Sequence, residues 1–298
     1  MKKMKPLSYE RKKSLYGYGF ISVWMIGFVC FFARPLVMAI QFSVSKLSFL
    51  DGGYSLQSIG LAGYERALFQ DADFIPSVVS SVGNMLRDVP LIVIMSLLIA
   101  VLLNEKFFGR TFFRSVFFTP VIVTTGVVIS ILKGDNMAQM IMDGSKSVSM
   151  LQATDLKTIL VQLQLPPDFV NYIFTMVNSL FDLLWKSGIQ ILLFLAALQT
   201  IPPSVYEATS VEGASGWDNF WKITIPMVSP MILLAVIYTI IDSFTDYQNM
   251  LMRRISELAR AVDFSYSSTL AILYFIVALV FIAIVYFVMN KFIFESRD

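Results

Sequence analysis

Residues 191–246 read ILLFLAALQTIPPSVYEATSVEGASGWDNFWKITIPMVSPMILLAVIYTIIDSFTD. Two apolar runs flank a polar insert, 202–226, that carries acids, prolines and aromatics. A bilayer core of about 30 Å is crossed by about 20 helical residues. The flanking runs fit that length, so the stretch reads as span, loop, span. Working outward, the 298-residue chain is 56% hydrophobic with a mean hydropathy of +0.70. Only 15% of its residues are charged, against about 25% in an ordinary globular domain. A soluble core of this size has no use for so much apolar surface, and lipid does.

Six stretches qualify as spans: about 15–43, 76–103, 112–132, 174–200, 226–246 and 267–292. They predict an all-α integral membrane protein of about six transmembrane helices, a single transmembrane domain over 1–298. Lys and Arg collect on the cytoplasmic side of membrane proteins. The N-terminal segment carries Lys2, Lys3, Lys5, Arg11, Lys12 and Lys13 against Glu10, and the 104–114 connection adds Lys106, Arg110 and Arg114. Both termini are therefore expected in the cytoplasm of a multi-pass cell-membrane protein. Segments 44–75, 133–173 and 247–266 then lie outside. The 133–173 stretch reads as an external loop with a short helix near 153–164, and Gly52-Gly53 marks a turn. Arg253, Arg254 and Arg260 run against the charge rule. The basic start resembles a signal peptide, but its apolar stretch is too long and lacks a cleavage site, so an uncleaved first span is expected.

The net charge of +2 and scattered basic residues give no footing for nucleic acid. With no histidine and one cysteine, Cys30, metal and Cys/His catalytic chemistry have nothing to build on. No G-x-x-x-x-G-K-[ST] phosphate loop occurs, so the chain is expected to be no enzyme and to bind no nucleotide itself.

In the 202–226 insert, Pro202-Pro203 ends the fourth span. Ser204 with Glu207 three residues on reads as a capping box opening a short helix. Gly213 closes it. Ser215 and Asp218 repeat the start signal for a second short helix through Trp217, Phe220, Trp221 and Ile223, before Pro226 opens the fifth span. Glu207, Glu212 and Asp218 against Lys222 leave the insert at −2, which disfavours lying on anionic headgroups. Acids plus exposed aromatics suit a knob that docks on a partner protein.

The run Glu207-Ala208-Thr209, three residues, Gly213, nine residues, Ile223-Thr224-Ile225-Pro226 resembles the EAA loop of ABC-importer permeases, E-A-A-x3-G-x9-I-x-L-P. Thr209 stands for the second Ala and Ile225 for the Leu. Ala197 to Pro202 and Gly213-Ala214-Ser215 resemble the sugar-permease branch of maltose-permease type, as do Arg34-Pro35, Asn84, Leu102-Leu103-Asn104 and Gly109-Arg110 with Arg114. The resemblance implies that residues 205–222 are coupling helices seated in an ATPase, with Glu207 as cap and contact and Gly213 as bend. Ala208, Glu212, Ala214, Trp217, Phe220 and Pro226 complete the expected docking set. It further implies a second, homologous permease chain, a cytoplasmic ATPase dimer holding ATP and Mg, and an extracellular or lipid-anchored solute-binding protein.

Charged and polar groups inside spans mark transport pathways. Arg34 interrupts the first span, and Arg87 and Asp88 the second. Lys186 and Gln190 on the fourth span, and Asp242, Phe244, Asp246, Tyr247 and Gln248 at the outer end of the fifth, combine hydrogen-bonding groups with rings. These suit sugar hydroxyls and faces, and the family places sugar contacts near the latter. The family's Gly-Gly-Pro after this span is replaced by Met252-Arg253-Arg254-Ile255-Ser256-Glu257-Leu258. The rival reading is an ion-coupled secondary transporter using an intramembrane carboxylate such as Asp242.

Overall fold

The computed structural model describes residues 9–50, 53–105, 107–124, 167–246 and 249–291. The elements in chain order are α1 (Tyr9–Phe28), a π turn (Val29–Ala33), α2 (Arg34–Ser43), β1 (Ser45–Leu50), β2 (Gly53–Ser58), α3 (Ala62–Glu65) and a second π turn (Arg66–Gln70). Then follow α4 (Phe74–Asn104), α5 (Arg110–Thr124), α6 (Pro167–Lys186), α7 (Gly188–Thr200) and α8 (Pro203–Val211). The chain continues with α9 (Gly216–Asn219), a third π turn (Phe220–Thr224), α10 (Ile225–Thr245), α11 (Met250–Arg260) and α12 (Phe264–Met289).

Among the described residues, four helical runs are long and apolar enough to cross a membrane: Gly17–Ser43, Phe74–Asn104, Gly216–Thr245 and Phe264–Met289. A fifth arises if α7 and α8, bent by 64°, are taken together. Most of the side chains on these runs are exposed, as lipid-facing helices are. The far part of the stretch expected at 112–132, the helix expected near 153–164 and the C-terminal tail lie outside the described residues.

Three expectations need correction. The 133–173 stretch is not loop to its end, because α6 already starts at Pro167. Proline fits the first helical turn, where its missing N–H has no carbonyl to meet. The span expected over 174–200 is two helices, broken at Ser187, whose hydroxyl donates to Leu184 O at 2.8 Å. Finally, the all-α expectation includes no strands, and residues 45–58, expected only to lie outside with a turn at Gly52-Gly53, hold two. They form an antiparallel hairpin pairing Ser45 with Ser58 and Leu47 with Leu56.

The chain divides into two compact units. One comprises Met1–Ser81 and Asp246–Leu279. Within it, polar groups pin short elements to the long helices. Leu47 N–H donates to Ser265 Oγ at 2.9 Å, and Thr269 Oγ1 donates to Ser43 O at 3.0 Å. Asn249 caps α11 through Leu251 N–H and accepts from Ser81 Oγ at 2.9 Å, while its amide donates to Tyr274 Oη at 2.7 Å. Asp71 receives the Tyr266 hydroxyl, the Asp73 N–H at 3.0 Å and Arg254 Nη2 at 2.8 Å. Burial pushes the Asp71 carboxyl up, but these three donors outweigh it and hold it below its ordinary value.

The second unit comprises Val82–Thr245 and Val280–Asp298. Its centre is α7, which packs on α10 and α5 through the buried Ile191, Phe194, Leu195 and Leu198. This unit carries the 202–226 insert.

Candidate functional site

The insert is built on two proline-directed helix ends. Pro202 is extended (φ −63°, ψ 137°) and Pro203 occupies the first turn of α8. That overturns the Ser204–Glu207 capping box: with Pro203 already helical, Ser204 sits inside the helix, and no side chain caps the α8 N-terminus. Glu207 is therefore an exposed mid-helix carboxylate rather than a cap, and nothing among the described residues holds it.

The C-terminal end of α8 closes as a Schellman motif. Gly213 N–H donates to Ser210 O at 3.1 Å, and Ala214 N–H donates to Thr209 O at 3.0 Å. Gly213 has φ +81°, the left-handed conformation that a Cβ disfavours, while the space around it is open. The chain then turns into α9. Here the capping box is present: Ser215 Oγ accepts from Asp218 N–H, and the Asp218 carboxylate accepts from Ser215 N–H. Lys222 Nζ donates to the same carboxylate at 2.7 Å.

The second short helix is not a separate element. From Gly216 the chain is helical through to Thr245, so one continuous run joins the insert to the span expected at 226–246. The physical problem in such a run is Pro226, which has no N–H for residue 222 and presses on its carbonyl. The π turn at Phe220–Thr224, closed by Ile225 N–H onto Phe220 O, widens the helix just ahead of it. The first helix uses the same device, a π turn at Val29–Ala33 two residues before Pro35.

Two features were not legible in sequence. Tyr206 Oη lies 3.0 Å from Thr224 Oγ1, tying α8 to the π turn. Thr224 Oγ1 also donates to Asn219 O at 3.2 Å. The link spans 18 residues between two helices, and no local pattern announces it. Beside it, Trp217, Phe220 and Trp221 cluster with ring centroids 5.2–6.4 Å apart. Trp217 is 71% exposed and Val211 90%. The structure thus brings Ala208, Glu212, Gly213 and Ala214, with Glu207, Trp217, Phe220 and Pro226, onto one bent protrusion of a single unit.

The expected pathway residues are not one cluster. Gln190 is fully buried; its amide meets Thr239 Oγ1 at 2.9 Å and faces the carbonyls of Lys186 and Ser187 at the helix break. It links α7 to α10 and repairs the break, so it offers no open face to a solute in this conformation. Phe244 is buried with its ring 6.4 Å from that of Phe281. Lys186, Asp242 and Asp246 are partly exposed. Tyr247 and Gln248 lie outside the described residues. Arg87 pairs with Asp88 at 2.8 Å on the surface of α4.

The sequence is 29% identical over 238 residues to the probable ABC transporter permease protein YesP of Bacillus subtilis, covering 80% of this chain and 72% of that protein. It is 25% identical to the multiple sugar-binding transport system permease protein MsmF of Streptococcus mutans, covering 79% and 76%. No family model matches the sequence. A chain of the bacterial alginate ABC transporter, solved in complex with an alginate pentasaccharide-bound periplasmic protein, superposes with a TM-score of 0.67 over 97% of this chain and 98% of that one, at 18% identity. The fold is that of these transporter chains, and the bent protrusion sits in the stretch that resembles the family loop: the homologues of this chain are permeases of sugar ABC transporters.

Proposed function

We propose that the chain forms half of the translocation pathway of an ATP-driven importer for carbohydrates, working by alternating access. The observation that carries the reading is the exposed α8–α9 protrusion continuing as one helical run into α10. A protein that seats on the protrusion acts directly on a membrane span. The multiple-sugar transport of one relative and the alginate transporter that shares the fold support a carbohydrate as solute.

In this reading the basic N-terminal segment and the 104–114 connection face the cytoplasm, and both termini lie there. The chain binds no cofactor of its own; ATP and Mg belong to an ATPase pair docked on residues 202–226. A second, homologous permease chain completes the pathway, and an external binding protein delivers the solute. Closure of the ATPases draws the two protrusions together and rocks the spans from inward- to outward-facing.

The test is co-purification of the tagged chain from native membranes, followed by ATPase and uptake assays. An ATPase and a second permease are expected with the wild type. The ATPase should be lost from Gly213→Asp while the chain still inserts. A chain that purifies alone and transports without ATP overturns the reading in favour of the ion-coupled transporter.

A further inference from the structure

The connection between α4 and α5 holds a feature that the importer mechanism does not use. Arg110 Nε donates to Leu103 O at 3.0 Å, and Arg114 donates to the same oxygen through Nε at 3.3 Å and Nη2 at 3.0 Å. Cations at a helix C-terminus are favourable, and one guanidinium suffices to cap a carbonyl. Here two converge on one oxygen. They use three of their ten N–H bonds there, and no carboxylate pairs with either among the described residues. Two partly buried like charges sharing one neutral acceptor leave an uncompensated positive site.

The surroundings select the anion. Arg110 N–H donates to Phe107 O at 3.4 Å, and Gly109 at φ +87° makes the tight turn that this needs. The turn holds Phe108 fully clear of the protein, and Phe112 (68% exposed) and Val116 continue the apolar surface along α5. Leaving a phenylalanine in water forgoes about 2–3 kcal/mol of burial. An apolar tip beside paired guanidiniums, at the end of a membrane-length helix, matches the boundary where acyl chains meet phosphates. A soluble anion would satisfy the arginines but not Phe108.

We propose that Arg110 and Arg114, with Phe108, form a binding site for the phosphate headgroup of an anionic phospholipid in the leaflet at this end of α4. The site rests on the proposed orientation only in assigning that leaflet to the cytoplasmic side. It fixes the α4–α5 end of the permease in the membrane while the spans move.

The test uses the full chain, purified in mild detergent without nucleotide. Retained lipid is read by native mass spectrometry, and melting temperature is followed on titration with phosphatidylglycerol, phosphatidylcholine or inorganic phosphate. Phosphatidylglycerol is expected to be retained and to raise the melting temperature, and the other two are not. Arg110→Gln leaves the Arg114 bonds to Leu103 in place, and should weaken phosphatidylglycerol binding roughly fivefold. Phe108→Ser removes a side chain that packs on nothing, so it tests the lipid contact without disturbing the fold, and it too should weaken binding. Equal response to both lipids, or an Arg110→Gln protein that binds like wild type, would show the arginines to be caps only. Protection by inorganic phosphate alone, or only by an added ATPase subunit, also overturns the lipid assignment. Labelling of Phe108→Cys, in a Cys30→Ser background, from the outside of intact cells would overturn the leaflet. None of these readouts requires transport, so the importer reading and the lipid site fail separately.

Discussion

Replacement of Gly213 by alanine isolates the bend of the proposed coupling segment from everything else. A Cβ built on Gly213 meets nothing within 4 Å, so no packing is lost and no clash is made. The only penalty is conformational. At φ +81° an L-residue with a side chain pays about 1–2 kcal/mol relative to glycine. At 1.4 kcal/mol per factor of ten, that lowers the population of the observed bend roughly 5- to 30-fold against unwound alternatives. The penalty falls on an exposed segment at the end of α8, so global melting should not move. Asparagine tolerates the left-handed region better than alanine does. The affinity of the ATPase subunit for the reconstituted permease, measured by titration with ATPase rate as readout, should therefore fall in the order Gly213, Gly213→Asn, Gly213→Ala. Solute uptake should follow the same order. Were Gly213→Ala to bind the ATPase as tightly as wild type, or Gly213→Asn to bind more weakly than Gly213→Ala, the bend would not be what the partner recognises.

Other consequences are as direct. Tyr206→Phe deletes the hydroxyl 3.0 Å from Thr224 Oγ1, about 1 kcal/mol of hydrogen bond; ATP consumed per solute imported should rise while ATPase association holds, and an unchanged ratio would count against a mechanical role. Gly63→Ala places a Cβ 2.7 Å from Thr269 Oγ1, between α3 and α12, and should cost about 1–3 kcal/mol, seen as a lower melting temperature of the purified chain. The Asp71 carboxyl is held below its unfolded value, so its contribution to stability is present above the ordinary carboxylate pKa and is lost as pH falls through the lowered one. Acid melting profiles of wild type and Asp71→Asn should therefore differ at neutral pH and converge in strong acid. Gln190→Leu should leave Thr239 and the carbonyls at the α6–α7 break without their partner and lower the melting temperature by more than a surface change such as Lys222→Gln does.

Local chemistry was legible in the sequence wherever neighbours in the chain are also neighbours in space. Ser215 and Asp218 stand three residues apart and cap α9 as that spacing requires, and Gly213 turns the chain where glycine is needed. The same rule misread Ser204 and Glu207, because Pro203 is a stronger helix starter than serine and moved the boundary upstream. The hairpin at 45–58 was missed because Ser-Lys-Leu-Ser-Phe-Leu alternates weakly, and only Gly52-Gly53 signalled a turn. The break at Ser187 is hidden in a continuous apolar run, and the residue that repairs it, Gln190, bonds Thr239 across 49 residues. Gln190 looked like a pathway residue for the sound reason that amides in spans are costly; burial between helices meets that cost as well as a solute does.

In the proposed importer, the path of a push on the protrusion into the membrane follows from the helix it continues into. A hinge between α9 and α10 would absorb the motion, and Pro226 in an ordinary α-helix invites one. The π turn at Phe220–Thr224 accommodates the proline without breaking the run, so Gly216–Thr245 stays one lever. Tyr206 then fastens α8 to that lever at Thr224, within the π turn itself. In that reading a force applied to Trp217 acts on the run itself, and one applied to Glu207 on α8 enters it at Thr224, two residues before the proline. The bond between Tyr206 and Thr224 is thus the member whose loss separates partner binding from movement of the span, whereas strain at Gly213 weakens partner binding first. Those two failures are distinguishable in one preparation, by the ratio of ATP hydrolysed to solute moved and by the affinity for the ATPase.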